Sequence, residues 1–182
     1  MEDVDAGTMT LGAATLRDRA ETNFLAILEQ LYDQYAYALY RYALALVSSA
    51  DDAEDAVQEV FVRIARETKR LDKVKNLKAY LYTATQNAAY SILRSRKRRN
   101  ETDEEIPDLS SDEKLPVESI ALQESFSLLP IEQREILVLK IYDELTFDEI
   151  ARTIGVSINT AASRYRYGID RLKRAFEEEN NE

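Results

Sequence analysis

The chain has 182 residues, 45% of them hydrophobic, and its 24 basic and 34 acidic side chains give a formal charge of -10. It holds no Cys and no His, which removes disulfide frameworks, thiolate nucleophiles, Cys-type zinc sites and imidazole acid–base chemistry. Only four Gly and three Pro interrupt it, no apolar run reaches the length of a membrane span, and the opening MEDVDAGTMT lacks the basic and apolar regions of a signal peptide. An all-α, cytoplasmic protein with no membrane insertion is therefore expected.

Residues 1–20 are expected to be disordered. From Glu21 to Val47, Phe24, Leu28, Leu31, Tyr35, Leu39, Tyr42 and Leu46 recur at helical spacing and mark the buried stripe of a long helix. The run SSADD breaks that helix, with Ser49 placed as a cap for the next, over roughly residues 50–70. Ala53, Val57, Val60 and Ile64 form its inner face, and Asp51, Asp55, Gln58, Glu59, Val62 and Arg66 form the outer one. The acids of DDAED can be read as a divalent-cation site, as charges that favour a helix N-terminus, or as part of a protein-docking face.

A third helix starts near Asn76 and ends in RSRKRR. Its stripe is Leu77, Leu81, Ala84, Ala88 and Ile92, while Tyr80, Tyr82, Tyr90, Lys78, Asn87 and Arg94 lie around the rest. Tyrosines interleaved with cations suit a single-stranded nucleic acid, because rings stack on unpaired bases while Arg and Lys follow the phosphates. About half of these tyrosines are expected to serve the core instead. The charges of Arg94, Arg96, Lys97, Arg98 and Arg99 repel one another unless a polyanion is near, although a localisation tag has the same composition.

Charge is segmented along the chain. Residues 72–100 carry eight basic and one acidic group, residues 101–125 carry one and nine, and residues 151–176 carry six and one. Two basic islands in an acidic chain suggest two nucleic-acid contacts, since phosphates respond to local clusters and not to the total. Between the islands NETDEEIPDLSSDEKLPVES has no apolar stripe, so residues 101–121 are expected to be a flexible acidic linker. It would divide the chain into helical domains at 21–100 and 122–176, followed by an acidic tail at 177–182. A tethered acidic segment can also compete with DNA phosphates for the basic islands, through weak contacts that salt screens.

In the second domain Phe147, Ile150, Ala151 and Ile154 stripe a short helix that Gly155 ends in a left-handed turn, and Ser157 caps the helix after it. Ala161, Tyr165, Ile169, Leu172 and Phe176 face inward, leaving Asn159, Thr160, Ser163, Arg164, Arg166 and Arg171 outward or on the flanks. Close crossing at Ala151 and a sharp turn at Gly155 meet the needs of a DNA-binding helix-turn-helix. An ordinary helical hairpin with a solvated basic face has the same pattern.

Three stretches, DDAEDAVQEVFVRI, NLKAYLYTATQNAAYSILRSRKRR and LLPIEQREILVLKIYDELTFDEIARTIGVSINTAASRYRYGIDRLK, resemble in this order and spacing the bacterial RNA polymerase sigma factors of the extracytoplasmic-function group, sigma-70-like proteins. The similarity spans about residues 25–99 and 122–175. It implies two small helical domains, sigma regions 2 and 4, and a transcription initiation factor with no catalytic chemistry, cofactor or small-molecule substrate of its own.

By that resemblance Asp55, Gln58 and Glu59 dock on the clamp helices of the largest subunit of RNA polymerase core. Tyr80, Asn87, Arg94, Arg96, Lys97 and Arg98 recognise and help open the minus-ten element. Ser157, Asn159, Thr160, Ser163, Arg164 and Arg166 read the minus-thirty-five element, while the beta flap and an anti-sigma factor are further partners. Three departures stand out: Tyr80 occupies a usual Trp position, Ala162 a usual Lys position, and YRYG replaces Leu-His-Arg-Ala. Two other classes compete. A free-standing helix-turn-helix repressor leaves the Tyr-rich basic helix unexplained, and a carboxylate metalloenzyme would need the DDAED acids to converge with others.

Overall fold

The computed structural model describes residues 6–66, 74–100, 126 and 128–179. Six α-helices follow in order: α1 Ala6–Val47, α2 Ala50–Arg66, α3 Leu77–Asn100, α4 Ile131–Ile141, α5 Phe147–Ile154 and α6 Ile158–Glu179, with no strand among the described residues. The all-α expectation is met. The proposed linker at 101–121 and the end of the acidic tail lie outside the described residues.

The first helix begins at Ala6, not near Glu21, which corrects the expectation of disorder for most of residues 1–20. Ala, Leu and Arg supply eight of residues 6–20 and no Pro interrupts them, so backbone propensity carries the helix beyond the point where the apolar stripe starts. It ends at Ser48, which takes a left-handed φ of 53°. Ser49 then starts α2 as expected, its carbonyl accepting from Ala53 N at 3.0 Å.

Helices α1, α2 and α3 pack on one another around Leu39, Tyr42 and Leu46, Val60 and Ile64, and Leu81, all essentially without exposure. Each expected stripe is the buried or half-buried face of its helix. Tyr42 and Tyr82 meet edge to face at 5.4 Å, so Tyr82 is core, and Phe61 meets Tyr32 in the same manner at 5.0 Å.

Helices α4, α5 and α6 surround Ile136, Leu137, Leu139, Ile150 and Ala161. Helix α5 opens with a reciprocal capping box: Thr146 Oγ1 accepts from Glu149 N, and the Glu149 carboxylate accepts from Thr146 N at 2.8 Å. It closes at Gly155 with φ 71°, in open space, so this glycine is required by backbone conformation alone. Gly168 serves a different purpose. A Cβ there would sit 3.0 Å from Leu137 Cδ1, which explains the departure from Ala: without a side chain, α6 lies close on α4. The two groups of helices also touch, α4 against α1 and α5 against α3.

Candidate polymerase and nucleic-acid interfaces

Asp55, Gln58 and Glu59 emerge together on the exposed side of α2, opposite buried Ala53, Ala56, Val57, Val60 and Ile64. Glu59 pairs with Arg63 one turn on, and Val62 is exposed beside them. Sequence reading missed the neighbouring surface. Tyr32, Tyr37, Tyr40 and Asp33 of α1 join Glu54 and Gln58 of α2 around a groove of about 530 Å³. Tyr32 and Tyr37 are more than half exposed, giving the acidic face an aromatic border. The available signal was their position off the α1 stripe.

On α3, Asn76 Oδ1 accepts from Ala79 N at 3.0 Å and starts the helix one residue before Leu77. Asn87, Arg94, Lys97 and Arg98 are exposed, and Tyr80 is half-buried with its ring packed on the core. Arg96 turns back across the bundle. Its guanidinium lies 2.6 Å from Asp52 Oδ2 and donates to the Val47 carbonyl at 3.4 Å. One acid of DDAED thus holds the basic end of α3 against the start of α2. Tyr90 is half-buried, and burial, followed by the nearby Glu135 carboxylate, pushes its hydroxyl up to about 12.

On α6, Ser157 Oγ accepts from Thr160 N at 3.0 Å and lies 2.8 Å from Thr160 Oγ1, so both hydroxyls are engaged in the cap. Ser163 Oγ donates to the Thr160 carbonyl at 3.0 Å. Asn159 and Arg166 are exposed, the latter with its guanidinium 5.6 Å from the Tyr167 ring centre. Arg164 is half-buried. It lies close enough to Glu135 and Tyr90 to act electrostatically on both.

Polar contacts also join the two groups of helices and were not foreseen. Glu135 of α4, 2% exposed, accepts from the Tyr42 hydroxyl of α1 and from Gln86 Nε2 of α3, each at 2.6 Å. Burial pushes its carboxyl above the usual range, against the two hydrogen bonds. Asp143, just beyond α4, pairs with Arg41 of α1, whose guanidinium also faces the rings of Tyr37 and Tyr142. Burial raises the Asp143 carboxyl while Arg41 opposes the shift. Lys78 donates to the Asp143 carbonyl at 3.2 Å, Thr83 Oγ1 to the Thr153 carbonyl at 3.1 Å, and Arg134 to Ser48 Oγ at 2.7 Å. Among the described residues no helix is long and apolar enough to cross a membrane.

Residues 31–99 match the family model for Sigma-70 region 2, and residues 119–172 match that for Sigma-70, region 4. The ECF RNA polymerase sigma factor SigL of Mycobacterium tuberculosis is 28% identical over 160 residues, 84% of this chain and 90% of that protein. RNA polymerase sigma factor SigV of Bacillus subtilis is 28% identical over 140 residues, 76% of this chain and 84% of SigV. Among solved structures, the sigma factor RpoE in complex with the anti-sigma factor NepR from Bartonella quintana superposes with a TM-score of 0.73 at 25% identity, covering 82% of this chain and 96% of RpoE. CnrH in complex with the cytosolic domain of CnrY has a similar fold, with a TM-score of 0.63 at 20% identity over 90% of this chain and 96% of CnrH.

Proposed function

This chain belongs to the sigma-70-like sigma factors of the extracytoplasmic-function group and is a promoter-directing transcription initiation factor; from that premise we propose which of its surfaces does what. The α2 face of Asp55, Gln58 and Glu59, bordered by Tyr32 and Tyr37, docks on the clamp helices of polymerase core. Exposed carboxylates steer the approach to a basic partner, and the tyrosines supply rigid area at low entropic cost.

Helix α3 presents Asn87, Arg94, Lys97 and Arg98 to the minus-ten region, with Tyr80 as the candidate stacking ring. Arg96 contributes there by fixing the basic end against Asp52. Helix α6 enters the major groove of the minus-thirty-five element with Asn159, Arg164 and Arg166, while Ser157, Thr160 and Ser163 shape its leading turn. The same module contacts the beta flap.

The observation that carries this reading is the placement of the docking triad: all three side chains leave one face of α2, and every residue of the opposite stripe is buried. An anti-sigma protein is a further proposed partner, supported by the bound state of RpoE, the nearer of the two solved relatives described above. The proposed domains are 21–100 and 122–176, the factor acts in the cytoplasm beside the polymerase, and synthesis belongs to the polymerase alone. A free-standing repressor is not favoured, because it has no use for a region 2 module. Run-off transcription with core polymerase on genomic fragments tests the proposal. Factor-dependent transcripts with shared upstream sequences are expected, whereas transcription that only falls when the chain is added would indicate a repressor.

A further inference from the structure

We propose that the leading turn of α6 reads an adenine and a neighbouring thymine: the Asn159 amide pairs with the adenine edge, and Ile158 packs on the C5-methyl group of the thymine. This deepens the functional reading above and rests on it, because it assigns specificity within the minus-thirty-five contact.

The hydroxyls of this turn are mostly committed within the protein. Ser157 Oγ accepts from Thr160 N and shares one proton with Thr160 Oγ1, while Ser163 Oγ donates to the Thr160 carbonyl. Of three hydroxyl protons, two are thereby spent on the helix itself, so Ser157, Thr160 and Ser163 shape the turn more than they read bases. Asn159 is different. It is exposed, and its amide has no hydrogen-bond partner among the described residues. A side-chain amide offers a donor and an acceptor side by side, which matches the N7 acceptor and N6 donor that adenine presents in the major groove.

Ile158 is the first residue of α6 and is 49% exposed, although the core of its module takes up Ile136, Ile150 and Ala161. A single exposed apolar side chain is ordinary on a protein surface. Its neighbours make this one informative. Ser157 and Asn159 on either side are exposed as well, and Ala162, one turn on along the same flank, is too short to stand between Ile158 and a base. The turn therefore offers an apolar strip, Ile158 and Ala162, beside one unengaged amide. Thymine alone presents a methyl group in the major groove, and small or branched apolar side chains are what contact it. Ile is also stiff at its first torsion, so little side-chain freedom is lost when it makes that contact.

Single-group changes in the DNA test the two contacts separately. The holoenzyme is bound to a promoter recovered by run-off transcription, with each thymine of the upstream element replaced in turn by deoxyuridine, which lacks only the methyl group. Each adenine is likewise replaced by 7-deazaadenine, in which a C–H stands where the N7 acceptor was. At one thymine the parent should lose about fourfold in affinity, the effect of one buried carbon group. At a neighbouring adenine it should lose several-fold. Ile158→Ser should abolish the first loss and spare the second, Ile158→Val should keep part of the first, and Asn159→Ala should abolish the second and spare the first. Both positions are exposed, so helicity and melting should match the parent.

A deoxyuridine series without effect overturns the methyl contact, and one that weakens Ile158→Ser as much as the parent removes Ile158 from it. A 7-deazaadenine loss that survives Asn159→Ala overturns the adenine contact, as does an element in which no A·T pair matters. A chain that directs no factor-dependent transcription refutes the promoter-factor reading and this assignment with it. Normal transcription with indifference to both base analogues refutes the assignment alone.

Discussion

Tyr42 on α1 donates a hydrogen bond at 2.6 Å to Glu135 on α4, which places a carboxylate of one helical group against the packed centre of the other. The phenol is itself fully buried and stacked edge to face on Tyr82, so it has no freedom to follow Glu135 away. Glu135 is equally buried, so its protonation is coupled to folding.

The coupling has a definite sign. Burial raises Glu135 above its ordinary value in the folded chain, so the folded form binds the proton more tightly than the unfolded form does. Stability therefore strengthens as pH falls from neutral towards the ordinary carboxylate value, and weakens as pH rises through the raised one. Tyr42 of α1, Gln86 and Tyr90 of α3, Glu132 of α4 and Arg164 of α6 surround the group. Asp143, facing Arg41, Lys78 and Tyr82, shifts in the same direction. Glu149 runs the other way: its cap hydrogen bonds hold the carboxyl low, and their contribution is lost as acid protonates it. Glu135→Gln should flatten the dependence of the melting temperature on pH between neutral and mildly acidic conditions, leaving the share due to Asp143. Parallel parent and variant curves would show that Glu135 does not titrate in this range.

The turn between α5 and α6 is a local device whose cost can be read separately. Thr146→Ala removes the hydroxyl that accepts from Glu149 N and should lower stability by about 1 kcal/mol. Gly155→Ala should cost about as much for a different reason, since nothing lies within 4 Å of the new Cβ and the loss is purely that of a left-handed backbone. Chemical unfolding checks both. A fully additive double variant would show that the cap and the turn act independently.

Within each module the fold was legible because helix stripes are local information. Phe24 to Leu46 and Ala53 to Ile64 repeat within a few residues of one another, and the structure buries them accordingly. The capping box at Thr146 and Glu149 was equally local, although only Gly155 and Ser157 were read from that turn. Glu135 and Asp143 were not legible as contacts between the modules. In IEQREILVLKIYDEL each stands beside other polar residues, Glu132 to Arg134 and Glu144, that look equally suited to solvent, and its partners at Tyr42, Gln86, Arg41 and Lys78 belong to the other module. Arg96 shows the same limit: its place in RSRKRR suggests a phosphate contact, but its engagement with Asp52 depends on where α2 starts.

Docking on polymerase is open to a direct test. Asp55 is exposed and its α2 neighbours Ala56 and Val57 carry the packing, so Asp55→Lys should leave helicity and melting unchanged. Reversal of charge on a steering face should weaken association with core polymerase several-fold, mostly through the association rate, with a smaller difference as salt rises. Unaltered affinity with normal helicity would remove Asp55 from the docking surface.

Arg164 is the proposed groove contact and also acts electrostatically on Glu135 and Tyr90, so its truncation has two separate readouts. In the holoenzyme a bidentate contact to guanine is worth about 1–3 kcal/mol, so Arg164→Ala should depress use of promoters that depend on the minus-thirty-five element and relax discrimination at one base position. In the free chain the same change removes the cation beside Glu135 and Tyr90. Both groups lose a stabilising charge when ionised, so the Glu135 and Tyr90 titrations should move upward. A phosphate contact would instead lower duplex affinity evenly across sequences and reduce its salt dependence. Comparison of promoter selection with random-duplex binding separates these roles. If neither changes while the Tyr90 titration moves, Arg164 acts only within the protein and the recognition helix reads DNA through Asn159 and Arg166.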